Sequence, residues 1–160
     1  MTRYGMAIDL KRCFGCHACE GACKVANNLP ADLAYNRVMT VGGDSFDTAA
    51  GEFPNCTLSF LPMQCQHCET PACFAVCPTG ATQKDEKTGI VTVDGETCIG
   101  CGSCIQACPY QGVRTLIGDD PDYYLDVVVG EADAPAHKPS TVEKCTFCKN
   151  LIDRGDVPAC

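Results

Sequence analysis

Tryptophan is absent from this chain, which has only six phenylalanines and five tyrosines among its 160 residues. Its apolar residues other than cysteine are dispersed, which excludes one large core and leaves a fold in need of staples. Long hydrophobic runs are missing too. Stretches such as Leu125 to Val129 fall far short of the roughly 18–20 residues that cross a bilayer, so no direct membrane insertion is expected. Met1 to Asp9 holds no apolar h-region and no small-residue cleavage site, so no signal peptide is read there. Positive charge is scarce: 12 Lys and Arg stand against 20 Asp and Glu, for a formal net charge of −8. That balance excludes the basic face of a nucleic-acid binder. The acids are spread rather than blocked and read as a solubilising surface. The sequence contains no G-x-S-x-G elbow, Walker loop, dinucleotide fingerprint or H-E-x-x-H, and no catalytic site is read in it.

What the chain has in excess is cysteine. There are sixteen, fifteen of them in four ordered runs. The first is Cys13-x2-Cys16-x2-Cys19-x3-Cys23 and the second Cys65-x2-Cys68-x4-Cys73-x3-Cys77. The third, Cys98-x2-Cys101-x2-Cys104-x3-Cys108, repeats the first, and the fourth opens as Cys145-x2-Cys148-x11-Cys160. Pro78 and Pro109 follow the second and third runs. This is the bacterial-ferredoxin ligand pattern, in which three close cysteines clamp one [4Fe–4S] cluster and the fourth reaches a neighbouring one. The two-residue gaps let a loop curl round one cube, with the fourth thiolate one helical turn further on. A secreted disulfide scaffold scatters its cysteines rather than clustering them at such gaps. Structural zinc takes two separated pairs rather than three cysteines within seven residues. Both are set aside. Metal binding then contributes folding free energy directly, and without iron and sulfide no stable fold is expected.

Along the chain, Arg3 to Asp9 alternates with Tyr4, Met6 and Ile8 on one face and reads as a half-buried strand. His17 to Asn27 is rich in alanine and reads as a helix carrying Cys19 and Cys23. Tyr35 to Val41 and Thr57 to Met63 are β-rich, with Gly42-Gly43 marking a turn. Thr70-Pro71 is a helix start, threonine capping and proline at the first position, for a helix bearing Cys73 and Cys77. Ile90 to Val93 and Val113 to Ile117 read as strands and Gly102 to Cys108 as a helical turn. Residues 118–140 then form an acidic excursion without cysteine, in which Tyr123 to Val129 reads as an added edge strand. It is too long for a plain connection and is either a docking element or a mobile loop. The fold class expected is α+β: two ferredoxin-like two-cluster modules of small strands and short helices related by a pseudo-twofold axis. Residues 61–117 form the inner module, and residues 1–60 with 141–160 a discontinuous outer module.

The segments CQHCETPACFAVCP (Cys65 to Pro78), CIGCGSCIQACPY (Cys98 to Tyr110) and KCTFC (Lys144 to Cys148), in this order of runs, resemble the iron–sulfur subunit of respiratory molybdoenzymes of the dimethyl sulfoxide reductase family. The likeness covers everything except residues 118–140. It implies four [4Fe–4S] clusters carrying electrons between a molybdopterin-containing catalytic subunit and a membrane quinone-reactive subunit. Residue by residue, it implies that Cys65, Cys68 and Cys73 share a cluster with Cys108. Cys98, Cys101 and Cys104 share one with Cys77, and Cys145, Cys148 and Cys160 one with Cys23. Cys13, Cys16 and Cys19 are completed by a ligand that the family spacing puts four residues after Cys160. The chain is thus expected to be a fragment of a longer protein. Otherwise the first site has three thiolates and holds a [3Fe–4S] or an incomplete [4Fe–4S] cluster. The family further implies a peripheral, membrane-associated place, on the extracytoplasmic face through co-export with the catalytic subunit or on the cytoplasmic face. A free-standing soluble polyferredoxin is the alternative. A catalytic iron–sulfur enzyme is disfavoured, because the runs are fully ligated in thiolate.

Cys56 stands outside every run and reads as a small buried hydrophobe rather than a sixteenth ligand. His67, between Cys65 and Cys68, is either a group that tunes a cluster or a surface imidazole. His17 reads as exposed, and His137 has no evident partner. Lys144, next to Cys145, either offsets cluster charge or is solvated.

Overall fold

The computed structural model describes residues 2–43, 47–134 and 136–160. Met1, Asp44 to Phe46 and Pro135, which fall in the expected outer module and excursion, lie outside the described residues. Ten short elements order the chain. Helix α1 spans Ala18–Ala26, with Glu20 in its first turn and Lys24 in its last, each complementing the helix dipole. Strands β1 (Asn36–Val41) and β2 (Ser59–Gln64) form an antiparallel ribbon in which Asn36 faces Gln64 and Val41 faces Ser59. Pro62 fits in β2 because the ribbon has two strands and every proline position is at an edge.

Helices α2 (Ala72–Ala75) and α3 (Ser103–Gln106) are single turns packed on each other. Strand β3 (Thr82–Lys84) pairs with β4 (Val91–Val93), and β5 (Arg114–Leu116) with β6 (Val142–Lys144), both antiparallel. Helix α4 is Lys149–Asp153. The β5–β6 ladder joins the chain before the 118–140 excursion to the chain after it, and β4 lies against β6. Small strands and short helices in this arrangement are a ferredoxin-like α+β fold.

The core is two small clusters. Cys23, Leu29, Leu33, Tyr35, Ile117 and Cys145 make one, with Cys65 against it. Cys73, Val91, Cys104 and Val142 make the other, with Cys98 and Ile105 against it. Cysteine thus supplies much of the buried packing.

Four expectations are corrected. Arg3 to Asp9 is not a strand: its backbone makes one bond to a distant segment, Tyr4 N–H to the Thr88 carbonyl, and one local turn bond, Arg12 N–H to the Asp9 carbonyl, and Met6 and Ile8 are exposed, because no neighbouring edge is presented to it. Tyr123 to Val129 is irregular for the same reason. Pro71 rather than Thr70 caps α2, without a side-chain bond, and α2 ends at Ala75, before Cys77. The excursion is not a detached loop. The Ala31 amide donates to the Asp122 carbonyl (2.7 Å) and the Glu131 amide to the Ala26 carbonyl (3.2 Å). Arg154, just past α4, pairs with Glu131 and Asp133.

Candidate metal centres

The cysteine loops curl because their backbone turns left-handed at repeated places. In the first run Gly15 (φ 75°) and His17 (58°) take positive φ, and in the third run Gly100 (65°) and Gly102 (73°) do so at the same offsets. In the second and fourth runs His67 (43°), Phe147 (59°) and Cys148 (47°) serve. Alternating handedness turns successive amides toward one side, making a concavity suited to an anion. At Gly100 a side chain is also excluded by space, since a Cβ would lie 2.2 Å from the Ser140 carbonyl oxygen. Several amides already point at sulfur: Thr82 to Cys77 Sγ (3.4 Å), Val142 to Cys98 Sγ (3.5 Å) and Phe147 to Cys145 Sγ (3.3 Å).

These turns bring the cysteines into sets. One small cavity is lined by Cys65, Cys68, Cys73 and Cys108, with Val91 and Arg114 in its wall. A second is lined by Cys23, Cys145, Cys148 and Cys160, with Asn27 and Tyr35. Cys101 feels the charge of Cys77, and Cys104 that of Cys98 and Cys73. Cys160 feels that of Cys19, which links the first run to the last. None of the sixteen cysteines is in a disulfide. Among the described residues no three His, Cys, Asp or Glu side chains converge on a single metal ion. A cubane places one iron at each thiolate, so its four sulfurs stand wider apart than around one ion.

The electrostatics fit a metal-bound thiolate. Burial pushes the Cys23 thiol far up, with Cys145, Cys160 and Cys148 adding to the rise. Burial likewise lifts Cys145 to about 12, against the Phe147 amide and Lys144. Such thiols stay protonated at neutral pH until a metal displaces the proton. Cys77 differs: burial works upward, but hydrogen bonds from Thr82 and Thr79 bring it down to about 7.

Cations are buried beside the sulfurs. Lys144 is 2% exposed and donates to the carbonyls of Val91 and Cys145. It is not a solvated lysine. Arg114 is 4% exposed and lies against Cys104, close enough for its charge and a hydrogen bond to oppose the rise that burial gives that thiol. Arg114 also lines the cavity of Cys65, Cys68, Cys73 and Cys108, where a buried cation suits an anionic cluster. The sequence reading missed Arg114, and its only signal was a charge inside an otherwise apolar strand. His67 is not a surface imidazole: the Val91 amide donates to its Nδ1 (2.9 Å), and Phe147 packs edge-on against its ring at 5.3 Å. Burial, then Lys144 and Arg114, push His67 down to about 3. His17 bonds Glu20 at 3.0 Å. Cys56 is exposed and is therefore not the core residue expected from free-cysteine habit.

Comparison with known families agrees with this chemistry. Models described as a 4Fe–4S dicluster domain match residues 56–117 and 90–160, and one described as a 4Fe–4S binding domain matches residues 10–26. The chain is 40% identical, over all of its length, to a candidate dimethyl sulfoxide reductase iron–sulfur subunit of Halobacterium salinarum, of which it spans 62%. It is 34% identical over 99% of its length to the arsenate respiratory reductase iron–sulfur subunit of Shewanella sp. strain ANA-3, spanning 76% of it. It is 39% identical over 99% of its length to the thiosulfate reductase electron transfer subunit of Salmonella typhi, spanning 70%. With four cysteine runs inside these matches, the cofactor is the [4Fe–4S] cluster, four to the chain. This chain belongs to the family of iron–sulfur subunits of the dimethyl sulfoxide reductase family.

Proposed function

We propose that this chain conducts electrons, one at a time, between a molybdopterin-containing catalytic subunit and a membrane quinone-reactive partner, without chemistry of its own on a substrate. The observation that carries the reading is the succession of cysteine sets. Cys98, Cys101, Cys104 and Cys77 adjoin the Cys65, Cys68, Cys73 and Cys108 set through Cys104 and Cys73. That set adjoins Cys145, Cys148, Cys160 and Cys23 through Cys65 and Cys145. Cys160 in turn adjoins Cys19 of the Cys13, Cys16 and Cys19 group. Each set is assigned as the ligand shell of one cluster, and a row of clusters is what stepwise electron transfer needs.

A bound cluster supplies a one-electron donor and acceptor. The chain's own residues fix its place, shield it and set its charge environment. Left-handed turns aim amides at sulfur. Val91, Val142 and Ile105 keep water from the inner sites, and Leu29, Leu33 and Tyr35 from the outer one. The two modules, residues 61–117 inside and residues 1–60 with 141–160 outside, are read as related by a pseudo-twofold axis and laced together by β5–β6. The protein is read as peripheral on a membrane-bound complex, on the extracytoplasmic face through co-export with its catalytic partner.

Iron, sulfide and zinc analysis after anaerobic purification tests the cofactor, with about sixteen iron atoms expected for four cubanes. Co-purification tests the assembly: a large molybdenum-containing chain should come with this one, and a free polyferredoxin would come alone.

A further inference from the structure

Arg114 and Lys144 are direct partners across the β5–β6 ladder. Like charges set opposite each other in a ladder repel, and a buried charge without a counter-charge is costly enough to break a fold. Both side chains are nonetheless buried, and neither makes an ion pair with a carboxylate among the described residues. Burial and Arg114 push the Lys144 pKa down, and the thiolates of Cys65, Cys145 and Cys73 work against that, so its charge depends on the sulfurs beside it. Arg114 lines the cavity of Cys65, Cys68, Cys73 and Cys108 and stands within charge reach of Cys108 and Cys104. The missing counter-charge is the cluster itself.

We propose that Lys144 and Arg114 are fixed cations that raise the potential of the cluster held by Cys65, Cys68, Cys73 and Cys108. The reason is a matter of count and sign. A nearby positive charge stabilises the reduced cluster, which carries one more negative charge, over the oxidised one. This set meets Lys144 at Cys65 and Cys73 and Arg114 at Cys108. Arg114 also reaches the neighbouring set at Cys104, and Lys144 the outer set at Cys145, so those two sites share part of the effect. Strand pairing holds both cations in register, so neither can swing away to solvent. His67 adds no charge, because its Nδ1 accepts the Val91 amide.

The inference rests on the ligand grouping proposed above, and the experiment separates the two. The full-length chain, purified anaerobically with its partners, is titrated to defined potentials and read by electron paramagnetic resonance. Cys68→Ser and Cys108→Ser identify the signal of the site in question. Lys144→Met and Arg114→Gln are each expected to keep their iron and lower the midpoint potential of that signal. Lys144→Arg and Arg114→Lys should leave it close to the parent value. If Cys68→Ser and Cys108→Ser alter different signals, the grouping itself fails. If they alter the same signal, the cation proposal alone is overturned by either of two results: the neutral variants do not lower it, or they lose iron while the charge-conserving ones keep it.

Discussion

Nδ1 of His137 lies 2.7 Å from Oε2 of Glu143, and its Nε2 lies 2.7 Å from the carbonyl oxygen of Asn27. Both partners are acceptors, so only the imidazolium, with two N–H groups, satisfies both. The pair joins the acidic excursion to the end of α1 and to β6. Tyr35 closes the arrangement, donating its hydroxyl to the same Glu143 oxygen and packing edge-on to the imidazole at 6.3 Å. A histidine with no partner evident in the sequence is the pin of the whole 118–140 segment.

The pin should respond to pH. Burial alone would lower the His137 pKa, but the hydrogen bond and charge of Glu143, with the Asn27 carbonyl, outweigh it and leave a net rise. A raised folded-state value means that the stabilisation is complete below the ordinary value of about 6.5 and fades as pH climbs through the folded value. Hydrogen exchange and limited proteolysis of residues 118–140 should therefore show tighter attachment near pH 6 than near pH 8. His137→Phe should flatten that dependence and cost about 1.5–3 kcal/mol at the lower pH, the range for a hydrogen bond to a charged group. An unchanged pH profile in the variant would end this account.

Gly130 is the second anchor of the excursion. Its φ is +91°, and a Cβ there would stand 2.0 Å from the Val25 carbonyl oxygen. Gly130→Ala must distort the backbone or lift the segment off α1, at a cost above the roughly 1 kcal/mol of an ordinary glycine replacement. Faster cleavage within residues 118–140, with iron content unchanged, is the expected result. Loss of iron would mean that the segment also supports the cluster loops.

The sequence carried α1, the β1–β2 ribbon and the iron–sulfur cofactor because each has a local or spaced signature: an alanine-rich run, two β-rich runs flanking a glycine pair, and thiols at fixed gaps. It failed where a partner decides the outcome. Tyr4, Met6 and Ile8 alternate as a strand should, yet alternation does not supply the edge on which to pair. Lys144 could be read either as offsetting cluster charge or as solvated and Arg114 drew no reading, and their burial follows from a strand pairing across a long excursion that no local pattern announces. Acidic, proline-bearing composition describes the surface of residues 118–140 but not the one imidazole they bury.

Cys56 and Cys104 give a clean contrast. Cys56 is exposed and Cys104 is 8% exposed within the second core cluster. Cys56→Ala should keep full iron and change stability by no more than about 0.5 kcal/mol, as for most surface changes. Cys104→Ala should lose or convert one cluster and lower the melting temperature. Iron assay beside a thermal melt decides, and iron loss from the Cys56 variant would show that the ligand set is larger than fifteen.

Removing the iron should remove the fold. The strands β3 to β6 have three residues each, and α2 and α3 four, lengths at which neither a ribbon nor a helix holds by itself in water. Half of the second core cluster is cysteine, as are two of the six residues of the first. Their packing depends on sulfur being held at fixed points by iron. Repulsion between thiolates does not add to the failure of the apo chain, since Cys23 and Cys145 have thiols raised by burial and are neutral without metal, but Lys144 and Arg114 are then left as buried cations without a counter-charge. The loss is of ligation and of the counter-charge that the cluster supplies. Chelation of iron under reducing conditions, followed by near-ultraviolet circular dichroism and a melt, is expected to show no cooperative transition until iron and sulfide are restored. A cooperative melt in the iron-free chain would mean that the two small cores suffice alone, and the staple argument would fall.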